Sequence, residues 1–543
     1  MSNQKVYLKS NVVPEPLFDN WYAWPHLISP ATAAMNIVGR HLKIMNSYIL
    51  APYIHEAAVK NPKMLGGPFM DFSRNRVEDV KALKGNTLNK QKHMVAFAEA
   101  VTALNKMLAS EGKGESLEPL YARVPDILKG YVELLYDVNN YPSFRFFEPL
   151  LYNSPFYNDA AQSIAFYLIN QDDRPFVLST PRLSDEDVLL INIPFASPAI
   201  DELFKMQRTP QTYNYIRAQF DLTTQQEEVF KTFFTEEAPP PYDPYTGTGA
   251  RVRYFGHACI LVETGGISIL ADPVISYGYD SEISRYTYTD LPDQIDYVVI
   301  THNHQDHILF ETMLQLRHKV KNIIVPRNGN GSLQDPSVKL MLAAIGFQNV
   351  IELDEMESVK LPKCTITGIP FLGEHSDLAI RTKLCHHVKL DNFSFLFAAD
   401  SCNIEPKLYE HVHRVIGDVD VLFLGMECDG APLSWLYGPY LTEQLPKEKD
   451  QSRRLAGSNY ERGIDLVNRF HPREVFVYAM GQEPWLNYIM SLKYTDESNP
   501  IIASNKLIHD CRQRGVTAER LFGEKEILYS EVGVHQHPDQ ILA

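Results

Sequence analysis

Residues 300–310 read ITHNHQDHILF and follow directly on the apolar run Tyr297, Val298, Val299 and Ile300. A short buried strand followed by H-x-H-x-D-H places His302, His304, Asp306 and His307 on the loop at the strand's carboxyl end. Alternate positions 302 and 304 can face one ion, while the neighbours 306 and 307 reach a second, which predicts a dinuclear metal site. A polar loop whose histidines cap a helix beginning near Asp306 is the plainer reading, and for one histidine it would be preferred. Four good ligands in this order outweigh it.

The surrounding chain bounds what such a site can serve. At 543 residues it exceeds what one hydrophobic core usually supports, so two domains are expected. It is 45% hydrophobic and 22% charged, with no apolar run long enough to cross a bilayer and no secretory leader in the first thirty residues. A cytoplasmic protein is expected, with no membrane partner. The net charge of −16 repels phosphate backbones and argues against nucleic acid. None of the six cysteines forms a C-x-x-C pair, which disfavours disulfides and a zinc-thiolate site.

The clearest break is TEEAPPPYDPYTGTGA at residues 235–250, read as a linker. Before it, residues 1–234 are expected to form a mixed, helix-rich α/β domain. SPATAAMNIVGRHLKIMNSYI predicts a helix with Ser29 at its N-cap and Pro30 in its first turn, and NKQKHMVAFAEAVTALNKML another; PFVLST and DVLLINIPF predict strands. After it, residues 251–543 alternate strand-like and helical stretches. RVRYFGHACILVETGGISILADPV predicts a hairpin turning at Gly265 and Gly266, then a corner at Asp272 and Pro273. IIASNKLIHDCRQRG predicts a helix closed by Gly515.

The hairpin and THNHQDH together resemble the metallo-β-lactamase superfamily, over residues 251 onward. The resemblance implies an α/β class with an αββα sandwich, and a bridging aspartate that matches Asp400 at the end of FSFLFAAD. It also implies a further ligand at IPFLGEHSDL, where Glu374 and His375 are both available. His471 is an alternative last ligand, because Met480 and Gln482 stand where hydrolases of this fold carry a histidine. Glu374 in place of an imidazole favours oxygen chemistry on iron over zinc hydrolysis, since hard anionic donors stabilise the higher iron states.

A roughly 250-residue N-terminal part, a Pro-rich join and this lactamase-like half together resemble the diiron β-hydroxylases of nonribosomal peptide biosynthesis, the antibiotic-forming type that acts in chloramphenicol assembly. The resemblance implies hydroxylation at the β-carbon of an aminoacyl thioester on a carrier (thiolation) domain. Carried over by motif, His302, His304 and Glu374 correspond to one iron, Asp306 and His307 to the other, and Asp400 to the bridge, with Glu374 and Asp400 as the catalytic carboxylates. Two iron ions with an oxo or hydroxo bridge, dioxygen as cosubstrate, an external electron donor, a reductase partner and a homodimer follow from the same source. The N-terminal domain would pair subunits or dock the carrier.

Other groups are read from position. Glu427 and Asp429 follow a strand and are candidates for substrate binding, with Tyr440, Trp435 and Tyr437 nearby; each alone also fits a packed loop. Glu410 and His413 read as surface helix, His386 and His387 as strand histidines, and His535 and His537 as exposed tail. Trp21, Tyr22 and Trp24 are core or subunit interface. The main rival function is a dinuclear zinc hydrolase of a lactone, ester, amide or phosphodiester, with His375 replacing Glu374. A carrier-binding module keeping its metal as a structural clip is the third.

Overall fold

A computed structural model describes residues 4–530; His535 and His537 lie outside them. The C-terminal half is an αββα sandwich. Its first sheet runs in the order Val350–Leu353, Val320–Pro326, Ile295–Val299, Ile267–Ala271, Ile260–Thr264, Ala250–Tyr254, Lys525–Tyr529. The second runs Ser358–Leu361, Cys364–Ile369, Cys385–Leu390, Ser394–Phe397, Val421–Gly425, Glu474–Tyr478, Thr517–Arg520. Between the sheets, Val252, Ile260, Ile366, Val388, Phe397 and Phe423 belong to one apolar core. The hairpin turns at Gly265 and Gly266 as expected, where Gly266 takes φ +135°.

Parallel pairing of Ile267–Ala271 with Ile295–Val299 and of Ser394–Phe397 with Val421–Gly425 brings several strand ends to one edge of the sandwich. Functional loops gather at such carboxyl ends because the backbone there is released from the ladder. Non-glycine residues in the left-handed region concentrate at this edge: His257 (φ +51°), Asp272 (+38°), Glu374 (+61°), Ala399 (+45°) and Ala479 (+52°). Strained backbone of this kind persists where the surroundings over-determine it.

The N-terminal part mixes helices with a four-stranded sheet ordered Trp21–Tyr22, Val12–Phe18, Gln162–Leu168, Leu189–Asn192. The predicted helices are present as Pro30–Asn36 with its extension through Leu42–Leu50, and as Lys92–Glu111. Ser29 stands at the N-cap with Pro30 at the first position, but its hydroxyl donates to Glu148 Oε1 at 3.3 Å instead of capping. PFVLST is not a strand. Its apolar side chains are buried in a turn, held by Val177 N–H on Tyr488 O at 2.9 Å and Ser179 Oγ–H on Phe69 O at 2.7 Å, contacts that no local pattern announces.

One apolar core spans both halves, joining Trp21, Trp24 and Phe97 to Phe310, Met313 and Leu314 on the outer face of the first sheet. Trp21, Tyr22 and Trp24 are therefore core residues. The halves are also tied by a buried charge network. Arg174 donates to Glu311 at 2.8 and 3.0 Å and to Glu15 at 2.6 Å, while Tyr22 donates to Glu311 at 2.9 Å. Phe234–Thr235 pairs with Lys5–Leu8, and residues 236–249 carry neither helix nor strand before Ala250–Tyr254. Among the described residues no helix is long and apolar enough to cross a membrane.

Candidate metal centre

The loop after Ile295–Val299 brings two ligand trios together: His302, His304 and Glu374, and His302, His307 and Asp400. A third group joins His257 to Asp306 and His307. All these side chains are buried or nearly so; Asp306 and Asp400, at 13% and 15% exposed, are the most open. His375 enters none of the groups. It stacks on His304 with ring centroids 4.6 Å apart and sets Nδ1 3.0 Å from Glu374 Oε2.

The hydrogen bonds behind the ring assign which nitrogens face the centre. Asp272 accepts Thr301 N–H at 2.8 Å and the Thr301 hydroxyl at 2.6 Å, and the Thr301 oxygen lies 3.0 Å from His302 Nδ1. With its own proton given to Asp272, Thr301 accepts from His302 Nδ1–H, so the His302 Nε2 lone pair points inward. His307 Nδ1 lies 2.8 Å from Asp272 Oδ2, which turns its Nε2 to the centre, 3.1 Å from Asp400 Oδ2. His304 is reversed. Its Nε2 meets the Tyr437 hydroxyl at 2.8 Å and its Nδ1 lies 2.7 Å from Glu374 Oε1.

His257 was not singled out in the sequence. Gly481 N–H donates to its Nδ1 at 3.2 Å, so the proton resides on Nε2, which donates to Asp306 Oδ2 at 3.1 Å. A nitrogen carrying that proton has no lone pair for a metal, so His257 orients Asp306 and is not itself a ligand. Asp272 was read as a corner, and its carboxylate in fact fixes two histidines. The motif G-H after a strand and D-P at the end of the hairpin were the available signals.

Glu374 owes its position to a tight loop. Gly373 (φ +76°), Glu374, Ser376 (+53°) and Asp377 (+58°) all take left-handed backbone, and a Cβ on Gly373 would meet Cys402 Cβ at 2.4 Å. Asp400 follows Ala399 at the end of Ser394–Phe397, and a Cβ on Gly425 would lie 2.7 Å from its Oδ1.

The electrostatics are those of a cation site. Burial raises Glu374, but the His304 and His375 rings outweigh it and hold the carboxyl at about 2. Burial drives His302 well below the usual imidazole range, with the neighbouring His307 and His304 adding to it. Burial opposes the charged form of His307, yet Asp400, Asp272 and Asp306 carry it well above that range. His302 Nε2 and Asp400 Oδ1 are buried without a hydrogen-bond partner, and Glu374 Oε2 meets the His375 ring at 3.0 Å. Two inward-facing orphan atoms, acidic oxygens and oriented imidazoles fit two divalent or trivalent ions.

Several expected site residues lie elsewhere. His471, 63% exposed, pairs through Nδ1 with Asp418 at 2.9 Å, and Asp418 also binds His413 at 2.7 Å. This group is on the surface, because His471 ends the helix Tyr460–Phe470 before the strand and never reaches its carboxyl end. Asp429 is exposed and accepts from Asn499 at 3.0 Å. Tyr440 is buried against Asn36 (2.6 Å) and His26 (2.7 Å) and does not line the cavity. Glu427 and Trp435 do line it. His386 bonds Ile300 O at 2.8 Å, supporting the strand that launches the motif.

The cavity over the centre holds about 1740 Å³ and is walled by both halves, with Phe176 and Leu178 facing Trp435, Leu436, Ile489 and Met490.

Comparison with known proteins agrees with this construction. Residues 7–239 match a family described as the diiron non-heme β-hydroxylase N-terminal domain, and residues 268–431 match a β-lactamase superfamily domain. The 4-amino-L-phenylalanyl-[CmlP-peptidyl-carrier-protein] 3-hydroxylase of Streptomyces venezuelae is 39% identical over 524 residues, covering 95% of this chain and 98% of its own. The crystal structure of CmlA, a diiron β-hydroxylase from the same organism, superposes with a TM-score of 0.91 at 37% identity, covering 97% of this chain and 100% of that one. The chain belongs to the diiron non-heme β-hydroxylase family.

Proposed function

We propose that this protein is a dioxygen-dependent diiron monooxygenase that hydroxylates the β-carbon of an aminoacyl group held as a thioester on a nonribosomal peptide synthetase carrier domain. The observation that carries the reading is Glu374: a carboxylate, and not His375, shares a ligand trio with His302 and His304. Family membership and the carrier-bound substrate of the Streptomyces relative support it.

His302, His304 and Glu374 would hold one iron, Asp306 and His307 the other, with Asp400 between them. When bound, iron would supply the redox chemistry that places one dioxygen atom on the β C–H bond, with electrons from an external reductase. This chain's residues do the positioning. Asp272 fixes the His307 and His302 tautomers, Tyr437 holds His304, and His257 holds Asp306. Phe176, Leu178, Trp435 and Met490 supply an apolar part of the cavity wall against which a substrate side chain would pack. The cavity's volume and its walls from both halves suit a substrate delivered on a pantetheine arm, with the N-terminal half forming part of the carrier-docking or homodimer surface. A zinc hydrolase would need His375 in the trio, and the geometry favours Glu374.

The test is metal analysis of protein from iron-replete cells, followed by incubation with carrier-bound L-amino acids, a reductant and dioxygen. About two irons per chain and a mass gain of one oxygen on one of the acyl groups are expected. Two tightly held zincs with thioester or ester hydrolysis would reject the reading.

A further inference from the structure

The cavity contains one half-buried carboxylate that neither the ligand trios nor a side-chain donor engages. Among the acids lining it, Asp306, Glu374 and Asp400 belong to the centre. Asp450 is pinned by the Ser434 N–H and hydroxyl, each at 2.8 Å, and Glu443 is exposed. Glu427 remains. Its place follows from the second sheet, in which Ser394–Phe397 and Val421–Gly425 pair in parallel and end side by side. Gly425 N–H bonds Ala399 O at 2.8 Å, so the chain leaves one strand as Asp400 and the other as Met426 and Glu427. Gly457 packs across both, where a Cβ would lie 3.3 Å from Glu427 O and 3.4 Å from Asp400 O.

One oxygen of the Glu427 carboxylate accepts Gly430 N–H at 2.5 Å. Among the described residues no lysine, arginine or histidine pairs with it. Burial, with the charges of Asp429 and Asp400, raises its pKa to about 7. An anion so placed gains from a cation that arrives with the ligand.

The substrate's chemistry names that cation. In a carrier thioester the amino acid's carboxylate is masked, leaving the α-ammonium as the only backbone charge. That nitrogen is attached to the carbon next to the one that is hydroxylated. The group that receives it therefore has to sit beside the metal centre, be anionic and lack a cation of its own. Resting on the hydroxylase reading above, we propose that Glu427 accepts the α-ammonium of the carrier-bound aminoacyl group, so that the free aminoacyl thioester is the substrate and an N-acylated chain is not. The reaction that supplies it is then thioester loading of a free amino acid, and acylation of the nitrogen comes after hydroxylation.

The experiment uses the iron-loaded full chain and its Glu427→Gln and Glu427→Asp variants. Each is titrated anaerobically with the L-aminoacyl carrier that the wild type hydroxylates, with its N-acetyl derivative and with its 2-deamino analogue; kcat/KM is then measured in air. The wild type is expected to bind the free amine about ten- to a hundredfold more tightly than the other two, the range of a charge-assisted hydrogen bond. Glu427→Gln should remove most of that preference with iron content intact, and Glu427→Asp should keep part of it. An unchanged preference in Glu427→Gln, loss of its iron, or equal wild-type affinity for free and N-acetylated forms would overturn the assignment. A wild type that hydroxylates no carrier-bound acyl group defeats the underlying function instead, before any variant is compared.

Discussion

His307 Nδ1 lies 2.8 Å from Oδ2 of Asp272, and the same carboxylate takes both the N–H and the hydroxyl of Thr301. One buried acid thereby fixes the tautomers of two inward-facing imidazoles, directly for His307 and through Thr301 for His302. Replacing its oxygen by an amide reverses a donor and acceptor at His307. Asp272→Asn is expected to weaken iron binding about 10- to 100-fold, the usual cost of losing such a supporting partner. Iron retained against a graded chelator, with circular dichroism to verify folding, measures it; unchanged retention would show that Asp272 does not orient the ring.

His257 acts on the other side. Its Nε2–H holds Asp306 at 3.1 Å while Gly481 occupies its Nδ1. His257→Ala should loosen the Asp306 side selectively, so that iron per chain falls from about two towards one under mild chelation, with roughly tenfold weaker binding at the second position. Equal loss from both positions would mean that His257 supports the loop as a whole.

Glu374 and His375 are adjacent in sequence but differ in role. Glu374 joins His302 and His304 in one trio, whereas His375 stacks on His304 and contacts Glu374. Glu374→Ala is expected to abolish oxygen chemistry and release the iron on the His302 and His304 side. His375→Ala should retain most iron and lose activity less, by roughly 10- to 100-fold. The opposite ranking in metal analysis would restore the hydrolase-like ligand set.

The contrast between these residues explains what could be read in advance. His302, His304, Asp306 and His307 are legible because consecutive ligands share one loop, and a buried strand directly before them fixes where that loop emerges. Glu374 and Asp400 are legible because they end strand-like runs. Asp272 reaches His307 only through the parallel pairing of Ala271 with Val299, and His257 reaches Asp306 across the same edge. Such register is a property of the assembled sheet, so Asp272 looks like a turn residue and His257 like an ordinary loop histidine. Asp429 and Tyr440 failed for a related reason. Proximity in sequence to Glu427 does not say which side chains turn to the cavity, and Tyr440 turns instead to Asn36 and His26. PFVLST misled because apolar β-branched composition serves a buried turn as well as a strand.

The junction between the halves should set the acid limit of the fold. Burial raises Glu15, but the guanidinium groups of Arg182 and Arg174 outweigh that and hold its carboxyl at about 2, below the ordinary 4.5. A carboxyl depressed in the folded state contributes stability that is fully present above about pH 4.5 and is lost as pH falls towards 2. The displacement corresponds to roughly 3 kcal/mol. Arg174→Met removes the cation shared by Glu15 and Glu311, both buried, and leaves Glu311 without a guanidinium partner. It should cost about 3–5 kcal/mol at neutral pH, because an unpaired buried charge remains. With Glu15 less depressed, the variant should also lose less stability between pH 4.5 and 2 than the wild type. Urea denaturation across that pH range checks both; parallel curves for the two proteins would mean that the network does not govern acid stability.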